Sequence, residues 1–206
     1  MFKNTVTSID QLRDVISPPG QPALRKEISC IDEHCRDLIA RSPFLLLGTS
    51  NARGQCDVSP KGDVPGFVKV LDDNTLIIPD RPGNHRTDSL LNILENPHVG
   101  LLFIIPGVEW TLRVNGGASI VRDDDVRAMC AVDGKAPALA LAVHVEEAYL
   151  HCPKCFIRSG LWDTDNWMPA GEQPNFAQVS RDMAGYQQVP LEIVEKGLAA
   201  SNAELY

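Results

Sequence analysis

The amino-acid sequence predicts a mainly β protein whose strands form a closed or nearly closed barrel with peripheral helices. Two observations favour this class. From Phe44 onward, about seven short apolar or alternating segments follow one another between turn-rich stretches, as in an antiparallel meander. The few helical segments do not alternate regularly with these strands, which argues against a doubly wound sheet.

Strand patterns fill the middle of the chain. Turn-forming residues at 51–54 and 72–74 separate short apolar runs, and Pro106 marks a further turn. Each run is too short to cross a bilayer, so we interpret them as buried strands. The predicted strands are 44–49, 55–59, 66–71, 75–78, 98–105, 111–121 and 139–150.

Helices are predicted mainly near the two ends. Ser8 and Gln11 have the spacing of a capping box, and Pro18 ends the helix that they begin. Apolar residues at near-helical spacing predict a second helix over 23–40, with its apolar stripe facing the barrel. Shorter helices are expected at 88–95, which Asn96-Pro97 ends, after the carboxylates at 123–125, and at 191–201.

The length of 206 residues and the hydrophobic fraction of 44% predict one domain with its own core. This single domain, residues 1–206, would carry an N-terminal helical arm (about 1–42) and a C-terminal extension (about 163–206). The N-terminus lacks the basic-then-apolar order of a secretory signal, so we expect a cytoplasmic protein without a membrane partner. The net charge of −8 argues against broad nucleic-acid binding.

The six cysteines are spread unevenly, and we expect reduced thiols rather than a disulfide framework. Cys152 and Cys155 form a Cys-x-x-Cys pair, for which half a zinc site or a redox dithiol are the alternatives. No second ligand pair follows and the βαβ context of thioredoxins is missing. We therefore predict two incidental thiols and no metal site.

Two turn-rich cationic segments, residues 59–68 and 77–89, flank one strand pair. Lys61, Arg81 and Arg86 could supply positive charge, while Asn84 and the start of the helix at Asp88 could supply hydrogen-bond donors. This combination favours capture of a phosphorylated ligand. The alternative is that Arg81 and Arg86 form weak surface pairs with Asp80 and Asp88.

The order of these motifs resembles a known family. The residues in question are Lys61-x-Asp63-x-x-Gly66-Phe67-Val68, then Asn84-His85-Arg86-x-x-Ser89-Leu90, Asn96-Pro97 and Thr111-Leu112-Arg113-Val114-Asn115-Gly116. They are similar to the flavin-binding core of the pyridoxamine 5'-phosphate oxidase-like FMN-binding split-barrel family, over roughly residues 43–162. The segment 80–84 is similar to that of a bacterial subfamily of FMN-binding proteins.

The resemblance implies a split β-barrel that forms a homodimer with one FMN in each of two clefts between the subunits. Lys61 and Arg86 would hold the phosphate, with Asn84 and Ser89 as hydrogen-bonding neighbours. Thr111 and Arg113 would approach FMN from the next strand, from the same or the partner subunit. Ser89 as a helix cap, Thr111 as a plain strand residue and Arg113 as a surface cation are the alternatives.

Trp162 is a separate candidate, since an aromatic plane beside an isoalloxazine ring can stack on it or restrict access to it. A tryptophan of the core or of an interface is the alternative. His85 and His144 could act as acid or base, but a lone histidine is more often structural. We predict no catalytic residue.

These expectations lead to an FMN-dependent oxidoreductase acting on an unidentified small molecule. Authentic pyridoxine-phosphate oxidases share a C-terminal Arg-Leu-His followed by a tryptophan-containing tail, whereas this chain ends at Glu204-Leu205-Tyr206. We therefore do not expect this chain to share the substrate of those oxidases. A non-catalytic flavin- or haem-binding or sensing module, and a deazaflavin-dependent reductase, are the alternative functions.

Overall fold

The structure is a computed structural model that describes residues 2–206; Met1 lies outside the described residues. It contains seven strands and eight α-helices among these residues. The strands are β1 (Phe44–Ser50), β2 (Cys56–Gly62), β3 (Lys69–Val70), β4 (Thr75–Pro79), β5 (His98–Ile104), β6 (Thr111–Val121) and β7 (Ala140–His151). The helices are α1 (Ile9–Val15), α2 (Gln21–Arg25), α3 (Glu33–Arg41), α4 (Asp88–Glu95), α5 (Asp124–Ala128), α6 (Lys154–Ser159), α7 (Phe176–Met183) and α8 (Leu191–Ala203).

All seven strands form one antiparallel sheet in the order β2-β1-β5-β6-β7-β4-β3. In a flat sheet, β2 and β4 would lie five strand spacings apart, about 24 Å. Yet Lys61 of β2 contacts Asp80, directly after β4, at 3.6 Å. The sheet therefore curls until its two ends meet, and the predicted split barrel with peripheral helices is confirmed.

The barrel interior is filled by side chains that alternate along the strands. Leu45 pairs with Phe103 across β1 and β5, and Phe103 pairs with Leu112 on β6, with all three side chains almost fully buried. Helix α3 contributes Cys35 and Ile39 to the same cluster. The main core thus joins the barrel to the helix before it.

The connection from β2 to β3 contains a tight turn. Gly66 lies here with φ +77, and a Cβ at this position would stand 3.1 Å from the Ala40 carbonyl oxygen. Only glycine meets both conditions without strain. The turn buries Phe67 and Val68, so β3 begins at Lys69 rather than at the expected residue 66.

A bulge bends the pairing of β6 with β7 between Asn115 and Gly116. A Cβ on Gly116 would lie 1.9 Å from the His144 carbonyl oxygen, whereas one on Gly117 would meet nothing closer than 4.0 Å. The bulge therefore requires glycine at position 116 and not at its neighbour.

The single helix expected over 23–40 is wrong. Ile28 forms an isolated β-bridge with Ala148, and the Ile31 N–H donates to the Asp73 carbonyl at 2.7 Å. Helix α3 then begins anew with Asp32 as its N-cap, which accepts from the Cys35 N–H at 2.8 Å. Ile28 and Ile31 therefore precede the helix, whereas Cys35 and Ile39 of the same predicted stripe lie on α3 and are buried.

The other predicted helices are present. Ser8 accepts from the Gln11 N–H at the start of α1, and α4 spans the predicted residues. Helices α7 and α8 pack against each other after two short 3₁₀ turns. Across residues 2–206, every helix is too short or too polar to cross a bilayer.

Candidate ligand-binding cleft

A cleft of about 710 Å3 opens where the curled sheet fails to close. Its walls come from strand β2, from the loop between β4 and α4, from the first turn of α4, from the loop before β7 and from the C-terminal segment. The polar and charged side chains that line it are Asp57, Ser59, Lys61, Asp80, Arg81, Asn84, His85, Arg86, Thr87, Asp88, Ser89, Lys135 and Tyr206.

The pleat of β2 aims Lys61 into this cleft. Lys61 pairs with Leu45 and Asp57 pairs with Thr49, both of which face the barrel interior. Side chains alternate along a strand, so these residues of β2 share the inward face. Ser89 of α4 closes this wall by donating from Oγ to Asp57 Oδ2 at 2.6 Å.

The loop from β4 to α4 has an unusual backbone. His85 and Thr87 both have positive φ, at 57° and 55°, on either side of Arg86. Asn84 supports this shape by accepting the Arg86 N–H on its Oδ1 at 3.1 Å. Such conformations cost roughly 1–3 kcal/mol each and cluster at ligand-binding loops, so this loop is a candidate ligand-binding segment.

Helix α4 begins beside this loop. Its N-cap, Thr87, makes no side-chain hydrogen bond to the first turn, and Asp88, Ser89 and Leu90 all line the cleft. The first N–H groups of a helix have no intrahelical acceptor and favour an anion. The cleft therefore contains a helix end suited to a negatively charged group.

Two of the cations hold only weak ion pairs. Lys61 Nζ lies 3.6 Å from Asp80, and Arg86 Nε lies 2.7 Å from Asp88 with the Arg86 side chain 72% exposed. The Arg86 pair is exposed and contributes little to stability. The Lys61–Asp80 pair is partly buried, at 20% and 28% exposure, but its 3.6 Å separation is too long for a hydrogen bond. Both cations can exchange their carboxylate partners for a ligand anion at small cost.

Arg81 is held much more firmly. Its Nε donates to Asp63 Oδ2 at 2.6 Å and its second amino group donates to the Cys130 carbonyl at 2.8 Å. Burial would raise the Asp63 pKa, but hydrogen bonds from Tyr206, the Val64 N–H and Arg81 outweigh it and lower that pKa. Arg81 is thus a fixed cation in the cleft wall, paired with Asp63 and not with Asp80 as in the alternative surface pairing.

Two further residues reach the cleft from distant parts of the chain. Tyr206 donates its hydroxyl to Asp63 Oδ1 at 2.6 Å, and Lys135 donates to the Tyr206 carbonyl at 3.3 Å. Neither residue is predicted from the sequence, and Arg81 is predicted only as a possible source of positive charge and not as an FMN contact. No motif surrounds Tyr206 or Lys135, so only the folded chain identifies them.

The family of the protein follows from its sequence over the barrel. The model of the pyridoxamine 5'-phosphate oxidase family matches residues 31–152, more than half of the chain. The chain belongs to the pyridoxamine 5'-phosphate oxidase family. The matched region contains all seven strands and helix α4, and hence most of the cleft wall.

Several solved structures are similar to this chain. HupZ of Group A Streptococcus is 22% identical with a TM-score of 0.48, covering 58% of this chain and 93% of its own. An FMN-binding protein from Syntrophomonas wolfei is 14% identical with a TM-score of 0.44, covering 57% and 83%. HutZ, the haem storage protein of Vibrio cholerae, is 16% identical with a TM-score of 0.40, covering 59% and 93%. No curated protein matches the sequence, so the family assignment rests on the family model.

The site residues expected from this family fall into two groups. Lys61, Asn84, Arg86 and Ser89 line the single cleft described above. The second group, Thr111, Arg113 and Trp162, lies elsewhere in the same chain.

Within the second group, Arg113 belongs to the outer face of the sheet. It pairs with Leu102 and donates to the Tyr149 hydroxyl at 2.9 Å. Thr111 is 2% exposed at the start of β6. Trp162 donates to the Val108 carbonyl at 2.9 Å and stacks on Phe156. Within one chain, the second group of residues therefore lies outside the cleft that the first group lines.

The Cys-x-x-Cys pair lies outside the cleft. Cys152 and Cys155 are both exposed and unbonded, before and within the short helix α6. Across residues 2–206, no group of three or more His, Cys, Asp or Glu side chains is arranged to hold a metal ion. The structure thus gives these thiols no partner in the region it describes.

Proposed function

We propose that the protein is an FMN-binding flavoprotein whose cleft holds the cofactor phosphate. The observation that carries this proposal is the convergence of cationic side chains and an uncapped helix N-terminus on one cleft. The four cations are Lys61, Arg81, Arg86 and Lys135. A phosphate monoester carries close to two negative charges, and such fixed donors recognise it.

The residues of the cleft fit this cofactor in size and in chemistry. A volume of about 710 Å3 lies within the roughly 300–1,000 Å3 of small-molecule sites. Lys61 and Arg86 can leave their weak carboxylate partners for a phosphate, while Arg81 stays fixed. Asn84 would act by shaping the loop through its bond to the Arg86 N–H, and Ser89 by joining α4 to β2.

Bound FMN would supply the redox chemistry, with hydride acceptance at its N5 atom, and the protein would supply position, electrostatics and exclusion of water. The proposed class is therefore an oxidoreductase acting on an unidentified small molecule. No side-chain nucleophile is needed for that chemistry. The proposed location of the protein is the cytoplasm, as expected from the sequence.

A homodimer would unite the two groups of site residues. The outer face of the sheet carries a row in register, Pro60, Leu46, Leu102, Arg113 and Tyr149. Beside this row Val58 is 63% exposed. Apolar, partly exposed side chains on this outer surface favour association with a second copy. Association through this outer face would carry Thr111, Arg113 and Trp162 towards the partner's cleft.

The absorbance spectrum of the freshly purified protein tests the cofactor. We expect paired bands in the near-ultraviolet and blue, which are typical of flavin, and release of FMN on denaturation. A Soret band would favour the alternative haem-binding module instead. A colourless protein that cannot be reconstituted with FMN would exclude the proposal.

Substitutions test the placement of the phosphate. Lys61→Ala and Arg86→Ala should each weaken FMN retention by roughly tenfold, since each removes a charge-assisted hydrogen bond. Arg53→Ala is the matched control, because Arg53 is exposed in the turn between β1 and β2, outside the cleft. Retention unchanged in both cleft variants would refute their assignment.

A further inference from the structure

We infer that Tyr206 is a positioning residue for anion recognition: through Asp63 and through its ring, it orients the Arg81 guanidinium for the phosphate of the cleft's ligand. This inference rests on the proposed function and adds to it a residue of the C-terminal extension. The part of the ligand that Tyr206 affects is the phosphate and not the ring system.

Three residues form a connected group at the cleft wall. Asp63 accepts from Arg81 Nε on Oδ2 and from the Tyr206 hydroxyl on Oδ1, each at 2.6 Å. The Arg81 guanidinium carbon also lies 5.3 Å from the centre of the Tyr206 ring. Tyr206 therefore contacts the pair twice, once through its hydroxyl and once through its ring face.

The Asp63 carboxylate is fixed at the centre of this group. Its side chain is 1% exposed, and it accepts a third bond from the Val64 N–H at 2.7 Å. A buried carboxylate needs its hydrogen bonds, because its lone pairs cannot reach water. Removing the Tyr206 hydroxyl would leave one acceptor position empty, so the carboxylate and the guanidinium bound to it would shift.

Arg81 retains donors for a ligand. Its guanidinium carries five N–H groups, of which two are used by Asp63 and Cys130. Within residues 2–206, the remaining three have no protein acceptor, although the side chain is only 15% exposed and lines the cleft. Such a guanidinium is suited to a bidentate anion such as a phosphate.

The C-terminal segment is itself held in place. Lys135, from the loop before β7, donates to the Tyr206 carbonyl at 3.3 Å. Lys135 also lines the cleft, so the contact that holds Tyr206 comes from another cleft residue. The orientation of Arg81 thus depends on a segment far from it in sequence.

The test compares FMN with riboflavin, which has the same ring system without the phosphate. Tyr206→Phe should weaken FMN binding by about five- to tenfold, the effect of one lost hydrogen bond, and leave riboflavin binding unchanged within about twofold. Arg81→Ala should weaken FMN binding by about thirtyfold and leave riboflavin binding unchanged within about twofold. Both affinities are compared on protein that circular dichroism shows to be folded, since this change also removes the partner of the buried Asp63. Tyr186→Phe is the matched control, since Tyr186 is exposed and lies outside the cleft.

The double variant Tyr206→Phe/Arg81→Ala separates positioning from a direct contact. If Tyr206 acts through Arg81, the double variant should bind FMN no more weakly than Arg81→Ala alone. Additive losses, or an equal loss for riboflavin and FMN in Tyr206→Phe, would overturn the inference.

Inorganic phosphate tests the anion site without any flavin, so that failure of this inference can be distinguished from failure of the proposed function. A wild-type protein that binds no flavin would refute FMN binding but not the anion site. In that case, at constant ionic strength, phosphate should raise the melting temperature of the wild type and of Tyr186→Phe more than that of Tyr206→Phe. An equal rise, or no rise in any of them, would overturn the role of Tyr206.

Discussion

Asp63 and Arg81 join the two ends of the curled sheet, since Asp63 directly follows β2 and Arg81 lies two residues after β4. Strands β2 and β4 share no ladder of hydrogen bonds. The ion pair therefore fastens the split of the barrel at a place where the backbone does not. Both side chains are largely buried, at 1% and 15% exposure, so water screens their attraction only weakly.

Removing the Asp63 carboxylate should destabilise the fold strongly. Asp63→Ala leaves the mostly buried Arg81 without its partner, and we expect a loss of about 3 kcal/mol in the free energy of unfolding. Asp37→Ala is the control, because it breaks an exposed pair with Arg41 and should leave stability nearly unchanged. Chemical denaturation measures both, and equal effects would contradict a special role for Asp63.

The Asp63 pair should also lose its effect in acid. Its pKa in the folded protein is lower than the ordinary 3.8, so its contribution is complete above that value and disappears as the pH falls through the lowered pKa. The difference in unfolding free energy between wild type and Asp63→Asn should be constant from about pH 5 to 8 and shrink below pH 3.8. A difference that grew on acidification would contradict this sign.

Gly116→Ala should disrupt the bulge between β6 and β7. The new Cβ would collide with the His144 carbonyl oxygen, which is backbone and cannot rotate away. We expect a loss of about 3 kcal/mol or more in unfolding free energy. Gly117→Ala, at the next position, meets no such atom and should change stability by less than about 0.5 kcal/mol. Thermal denaturation of the two variants provides a direct comparison.

Alkylation should distinguish the cysteines by burial. Burial raises the pKa of the Cys35 thiol to about 12, so almost no reactive thiolate forms there at neutral pH. Cys56, Cys152 and Cys155 are exposed and should react with iodoacetamide in the native protein. Mass spectrometry of the labelled peptides should find Cys35 modified only after unfolding; rapid native labelling of Cys35 would contradict its place in the core.

A charge on the outer face should weaken the proposed dimer. Val58→Glu would bury a carboxylate in the apolar contact and should raise the dimer dissociation constant by about tenfold or more. Leu94→Glu places the same charge on α4, at a leucine that is 74% exposed, and should leave the dimer intact. Sedimentation equilibrium measures both. An unaffected dimer in Val58→Glu would place the contact elsewhere.

The sequence predicted the elements whose signals are local. Helix α4 ends at Glu95 as expected, because Asn96-Pro97 cannot continue it. The short apolar runs at β1 and β5 are strands as expected, with every second residue buried. The helix over 23–40 failed because Ile28 and Ile31 have helical spacing but bond to Ala148 and Asp73 across the fold.

In the candidate cleft, too, the sequence predicted the residues whose signals are local. Lys61 and Arg86 stand in turn-rich segments whose composition already suggests anion binding. Tyr206 lies 143 residues after the Asp63 that it contacts, and nothing in the nearby sequence sets it apart from any other tyrosine. A contact of that separation depends on how the whole barrel curls, which local patterns do not encode.

The side chains of strand β2 alternate between half-buried and exposed positions, so the strand has two distinct faces. Lys61 points inward while Val58 and Pro60 point outward. Inserting one residue before Val58 would reverse this order, so the lysine would leave the cleft and an apolar side chain would enter it. The register of this one edge strand thus governs both the proposed ligand contact and the proposed dimer surface, so an insertion or deletion there would alter the two together.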